Sequence, residues 1–128
     1  MISEEQFLKE PVLVRPGAEE FLEEMGKYYE IVIFTAALQG YADSVLDELD
    51  TNKVIKHRLY RQHALPYGSC YIKDLTRIGR PLSRMVIVDN LAENFQLQPE
   101  NGIMIKSWIG DPYDTALYEL APILKGKD

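Results

Sequence analysis

The chain has 128 residues and a net charge of −6, enough for one domain that buries roughly two-thirds of its unfolded surface. A hydrophobic content of 46% with 27% charged residues excludes a disordered chain. The short apolar runs exclude a bilayer span, one cysteine, Cys70, excludes an internal disulfide, and net acidity argues against direct nucleic-acid binding.

Residues 1–11 read as a polar arm and residues 12–128 as the domain. Met1–Glu10 is a loose arm or a short helix. Val12–Val14 is a brief strand or extended lead-in. Pro16 suits a first helical position, and Phe21, Leu22 and Met25 predict a helix over about 16–27. Tyr29–Phe34, rich in β-branched and aromatic residues, reads as a buried strand. Ala42, Val45, Leu46 and Leu49 carry the spacing of an amphipathic helix. Asp50-Thr51-Asn52 makes a turn, followed by short strands at Val54–Ile55 and Arg58–Tyr60. Pro66, Gly68 and Ser69 mark a loop before Tyr71–Leu75. Met85–Val88 is an apolar strand ending at Asp89-Asn90, and Ile103–Ile105 is another. Asp114 is the expected N-cap of a last helix reaching Leu124. Strands alternating with helices imply an α/β domain with a mainly parallel sheet.

Charge is unevenly placed. Residues 1–52 carry net −9 and residues 85–128 net −4, while residues 53–84 carry eight basic groups against one acid, Asp74. A basic segment in an acidic chain suits a local anionic partner such as a phosphate group, or a solvated basic face. In parallel sheets, ligands bind at the carboxyl ends of strands. Two such ends carry chemistry here: Thr35, a hydroxyl, and Asp89-Asn90, hard oxygen donors of the type Mg²⁺ prefers. Lys73 adds an ammonium from the basic segment. Together these groups can hold a phosphoryl group and its metal. Taken singly, each is more often a turn, surface or capping residue.

Other candidates carry less. His57 and His63 show no recognised ligand spacing. Cys70 and Arg77 are one residue too far apart for a cysteine-phosphatase loop. Trp108 and the tyrosines suit packing better than base stacking. A receiver domain also uses Asp, Thr and Lys, but its acceptor Asp precedes the Thr, whereas Asp89 follows both Thr35 and Lys73.

The stretches RPGAEEFLEEM, YYEIVIFTAALQGYADSVLDELD, RLYRQ, CYIKDLTRIGR, MVIVDN, FQLQPENGI and SWIGD give a sharper reading. Over about Val12–Leu124 the sequence resembles the FCP/SCP-like, or NIF-type, phosphatases of the haloacid dehalogenase superfamily. The resemblance implies a Rossmannoid three-layer α/β fold. It implies that Thr35 and Lys73 bind phosphoryl oxygens, that Asn90 is a Mg²⁺ ligand, and that Asp89 orients a metal-bound water. Arg61 matches a position that can touch substrate in the family, while Leu38 and Tyr41, close after Thr35, are read from the sequence as lining the site's rim or packing in the core or at the rim. The implied substrate is a phosphoserine or phosphothreonine protein, such as the tail of RNA polymerase II.

One departure limits that reading. The family's first motif, D-x-D-x-T, supplies the nucleophile and the general acid/base. It occurs nowhere in this sequence, and Asp47-Glu48-Leu49-Asp50-Thr51 has the wrong spacing. The expectation is therefore a sheet without its first central strand and a chain that is inactive alone. Mg²⁺ should be held weakly or not at all, and strand edges should be open to a protein partner. The alternative is a non-catalytic binding module related to the mitochondrial inner-membrane import receptor. With no leader pattern at Met1, a nuclear or cytoplasmic place is expected, and a mitochondrial one under the alternative.

Overall fold

A computed structural model describes Leu8–Lys9 and residues 13–126. The expected arm, Met1–Glu10, otherwise lies outside the described residues, as does Val12. Leu8–Lys9 (β1) pairs antiparallel with Leu13–Val14 (β2). Three helices follow in the chain, α1 (Ala18–Met25), α2 (Gln39–Leu49) and α3 (Ala116–Lys125).

Helix α1 starts two residues later than Pro16 suggests. Gly17 lies at φ +83°, in left-handed space that favours glycine, and turns the chain into the helix. Ala18, Phe21, Leu22 and Met25 are its buried face, while Glu19 and Glu20 sit in the first turn, where the helix dipole favours acids. Strand β3 (Ile31–Phe34) is buried at all four positions. Helix α2 buries Ala42, Val45, Leu46 and Leu49, the set that the helical spacing predicts. The Asp50 carboxylate then accepts from the amides of Val54, at 2.8 Å, and Ile55, at 2.9 Å. That turn feeds one continuous strand, β4 (Ile55–Leu59), where the sequence suggested two short ones.

Strand β4 runs parallel to β3, with a register shift between Ile31 and Val32. A second parallel pair joins β7 (Ile87–Asp89) to β8 (Gly102–Met104). Among the described residues these are two separate pairs, β3 with β4 and β7 with β8. Between them, toward the starts of β3 and β7, lies a cavity of about 320 Å³ lined in part by Ile31, Val32, Met85, Val86 and Val88. An antiparallel hairpin, β5 (Leu65–Tyr67) and β6 (Cys70–Ile72), turns at Gly68 with φ +62°. The sequence reading made Pro66 part of a loop. Proline cannot donate to a ladder, but in this exposed edge strand that costs little.

All three helices share one core cluster, which the sheet meets through Ile31, Ile33 and Val88. Successive strand side chains alternate faces, so Ile87 and Asp89 point the other way. There Leu75, Ile87 and Phe95 form a second, smaller cluster. The layer over that face is built from short 3₁₀ turns at Leu75–Arg77, Leu82–Arg84, Ala92–Phe95 and Pro99–Asn101 rather than from helices. Gly79, Pro81 and Pro99 interrupt the segment too often for a longer helix. No helix among the described residues is long and apolar enough to cross a membrane.

The N-cap of α3 is Thr115, not Asp114. The Asp114 carboxylate does accept from the Ala116 amide at 3.2 Å. Its main partner is Arg15, 99 residues away, whose Nε donates at 2.8 Å with both side chains fully buried. Arg15 also donates to the Lys106 carbonyl at 3.0 Å. Burial pushes the Asp114 carboxyl up, but Arg15, the Ala116 amide and Lys106 together hold it below the usual carboxylate range.

Candidate active site

Thr35 follows β3 directly and is completely buried. Its amide donates to the Leu59 carbonyl at 2.9 Å, continuing the β3–β4 ladder by one step. Its hydroxyl accepts from the Ala37 amide at 2.9 Å, which fixes the side chain where the strand ends.

Lys73 follows β6 and is 1% exposed. Its ammonium donates to Asp89 Oδ2 at 2.6 Å, in a pair with both side chains buried. The Phe34 ring, next to Thr35 in sequence, lies 5.9 Å from the same nitrogen. These contacts bring the end of β3, the end of β6 and the end of β7 to one place.

Asp89 is the last residue of β7 and is completely buried. Besides Lys73, its carboxylate accepts from the Leu91 amide at 3.2 Å and from Asn94 Nδ2, which lies 3.2 Å from each oxygen. Asn90, next in the chain, donates from Nδ2 to Ser107 Oγ at 3.0 Å.

Arg61 reaches the same edge. Its Nε donates to the Ala36 carbonyl at 2.7 Å, and its guanidinium stacks 5.2 Å from the Tyr71 ring centroid. It thus ties the residue after Thr35 to the strand that leads to Lys73. Leu38 and Tyr41 stand exposed around the start of α2, three and six residues past Thr35. Of the basic segment, Lys73 and Arg61 stand at these strand ends. Arg58 is instead neutralised by Asp43, at 3.0 Å, and Asp47, at 2.9 Å, and Arg80 by Glu30. The Tyr60 hydroxyl, 2.5 Å from Asp43, and then Arg58 hold that carboxyl below its ordinary range against the effect of burial.

Sequence reasoning missed Asn94 and Arg15. Asn94 sits in a polar run, and only its place five residues past Asp89 could have flagged it. Nothing local marks Arg15.

The donor chemistry can be tested against Mg²⁺. Asp89 and Asn90 offer the right atom type, but Mg²⁺ takes near-octahedral oxygen ligation. The Asp89 carboxylate is already filled by three donor groups. No group of three or more His, Cys, Asp or Glu residues suited to a metal occurs among the described residues. These residues do not make a Mg²⁺ cage by themselves.

A family model described as NLI interacting factor-like phosphatase matches residues 3–127, nearly the whole chain. The chain belongs to the NLI interacting factor-like phosphatase family. It is 47% identical over 114 residues to phosphatase PSR1 of Saccharomyces cerevisiae, covering 89% of this chain and 27% of that protein. It is 44% identical over 115 residues to the human CTD small phosphatase-like protein, covering 90% of this chain and 42% of the relative. The chain thus spans well under half the length of these relatives. Among solved structures, a variant of the fission yeast RNA polymerase II CTD phosphatase Fcp1 bound to beryllium fluoride superposes with a TM-score of 0.65 at 25% identity. That match covers 90% of this chain and 35% of that one. The fold is accordingly the α/β fold of the haloacid dehalogenase phosphatases, as the resemblance implied.

Proposed function

We propose that this domain of the NLI interacting factor-like phosphatase family binds the phosphoryl group of a phosphoserine or phosphothreonine protein through Lys73 and Thr35. One observation carries the reading. The Lys73 ammonium has three N–H donors, and among the described residues its one hydrogen-bond acceptor is Asp89. A buried ammonium with donors to spare, at the carboxyl edge of a parallel sheet, is suited to an oxyanion. Asp89 offsets part of its charge and holds it in place. Thr35 adds a hydroxyl at the neighbouring strand end, and Arg61 brings a second cation to the rim.

The relatives' names supply the substrate class. Several are phosphatases of the RNA polymerase II C-terminal domain, so a phosphorylated, acidic peptide of that kind is the proposed partner. The chain's own residues bind and orient the phosphate. With no D-x-D-x-T in the sequence, the chain alone lacks the family's nucleophile and acid/base, and we expect binding without turnover. Loss of the nucleophile in other covalent enzymes costs on the order of 10⁶ in rate. When bound to a complete site, Mg²⁺ would supply charge neutralisation of the phosphoryl oxygens.

The test is a phosphoserine peptide of the polymerase tail titrated into the 128-residue chain, with free phosphate measured in parallel. The expected result is saturable binding, weakened roughly tenfold by Thr35→Val, with no phosphate released. Equal affinity for the unphosphorylated peptide would overturn the binding role. Phosphate release by the pure chain would overturn the expected inactivity.

A further inference from the structure

Asn94 contacts both halves of the buried pair. Its backbone carbonyl accepts from the Lys73 amide at 2.8 Å. Its side-chain Nδ2 lies 3.2 Å from each oxygen of Asp89. No other residue among those described bonds to both Lys73 and Asp89. Its own amide donates to the Leu91 carbonyl at 3.1 Å, closing the 3₁₀ turn Ala92–Phe95. That turn is nailed down by the next residue, Phe95, which is buried with Leu75 and Ile87. The fit there is tight. A Cβ on Gly102 would stand 2.1 Å from the Phe95 ring, so glycine is required at that point of β8. Strand β8, the Phe95 ring and the turn thus deliver the Asn94 amide to Asp89 from a rigid support.

A carboxylate at a strand end has a soft torsion about its terminal bond. Lys73 holds Oδ2 and the Leu91 amide holds Oδ1, each from one side. A donor bridging both oxygens fixes the plane of the group, and with it the direction from which Oδ2 receives the ammonium. Through the backbone bond, the same residue sets the height of Lys73 along β7.

We infer that Asn94 is the positioning residue of this site, holding Asp89 in the plane that accepts from Lys73 and so aiming the remaining ammonium protons at phosphoryl oxygens. The inference rests on the proposed anion-binding role of Lys73.

The test uses the 128-residue chain and inorganic phosphate, followed through the ¹H–¹⁵N signal of the Lys73 ammonium, with thermal midpoints recorded alongside. Asn94→Leu keeps the volume and removes both donors. It should weaken phosphate binding roughly tenfold or more and move the ammonium signal of the free protein. Asn94→Ser loses volume but keeps one donor. With one shorter O–H it cannot bridge both oxygens, so it should recover only part of the affinity, binding phosphate more tightly than Asn94→Leu. A packing role predicts the opposite order, since Ser leaves the larger gap. If Asn94→Leu does not fold, Asn94→Ala, which removes both donors without adding a charge and nearly matches Asn94→Ser in volume, should show the same loss. Unchanged affinity in Asn94→Leu, or Asn94→Ser as weak as Asn94→Leu, overturns the positioning role and leaves the anion site standing. No response of the wild-type ammonium to phosphate overturns the anion site, and the role of Asn94 with it.

Discussion

Among the described residues two ion pairs are buried at both members, Arg15–Asp114 and Lys73–Asp89, and they are built differently. Both are 0–1% exposed at both side chains. In the first, the cation is a planar fork that serves both the Asp114 carboxylate and the Lys106 carbonyl. It joins the approach to α1, the segment after β8 and the approach to α3. In the second, the cation is a point charge with one protein acceptor among the described residues, and the carboxylate is the member that is saturated. Guanidinium suits a fixed lock, and ammonium suits a partner that comes and goes. Equal burial therefore says little about role. What separates the pairs is where donor capacity is left over.

Four measurements would break or sharpen that contrast. Arg15→Met leaves the buried Asp114 carboxylate with only the Ala116 amide and the exposed Lys106 ammonium and should cost about 3–5 kcal/mol of stability in urea unfolding. That is a large share of the roughly 5–15 kcal/mol total of a domain this size. The double replacement Arg15→Met with Asp114→Leu should recover most of it, because no charge is then left unpaired. Lys73→Met should cost less, about 1–3 kcal/mol, since Asp89 keeps Asn94 and the Leu91 amide. It should abolish phosphopeptide binding. A Lys73→Met chain as destabilised as Arg15→Met yet still binding phosphate would make the two pairs alike.

Acid sharpens the comparison further. The Asp114 carboxyl is held below its ordinary value in the folded state. It therefore adds stability above the unfolded value of about 3.9, and that stability is lost as pH falls through the folded value. The urea midpoint should drop below about pH 4, and Asp114→Asn should flatten the decline. A residual slope will remain, because the Thr76 hydroxyl holds Asp74 low, and Tyr60 does the same for Asp43. The smallest effect is at the surface. Arg80 grips Glu30 with two bonds of 2.9 Å, yet both are exposed and screened. Glu30→Gln should leave the midpoint within scatter of wild type.

How far the sequence carried these assignments depends on how local each signal is. Apolar runs ending in a polar residue gave the two strand ends, so Thr35, Asp89 and Asn90 were legible without any comparison. Lys73 was less so. As one lysine in a basic stretch it joins that set only as a possible ammonium, the family resemblance implies its phosphoryl role, and the structure places it 2.6 Å from Asp89. Helix α2 was legible because its four buried residues follow the helical period. The β5–β6 hairpin was hidden by its length and by Pro66, both of which read as loop. Asp114 was read as a cap because it precedes a helix and has the right side chain. Its dominant partner lies 99 residues away, and no local pattern reports a contact of that range.

That separation has a kinetic side. The β3–α2–β4 unit lies within 29 residues, from Ile31 to Leu59, so its contacts form at small loop entropy. The packing of α1 on α3, and the Arg15–Asp114 bond beside it, must wait for nearly the whole chain to be in place. Contacts that join distant parts of the chain carry the largest closure cost. A contact of that range is expected to close late, on the native side of the folding barrier. Its loss should appear almost entirely as faster unfolding, with the refolding rate little changed. An Arg15→Met chain that refolds slowly and unfolds at the wild-type rate would place the lock before the barrier instead.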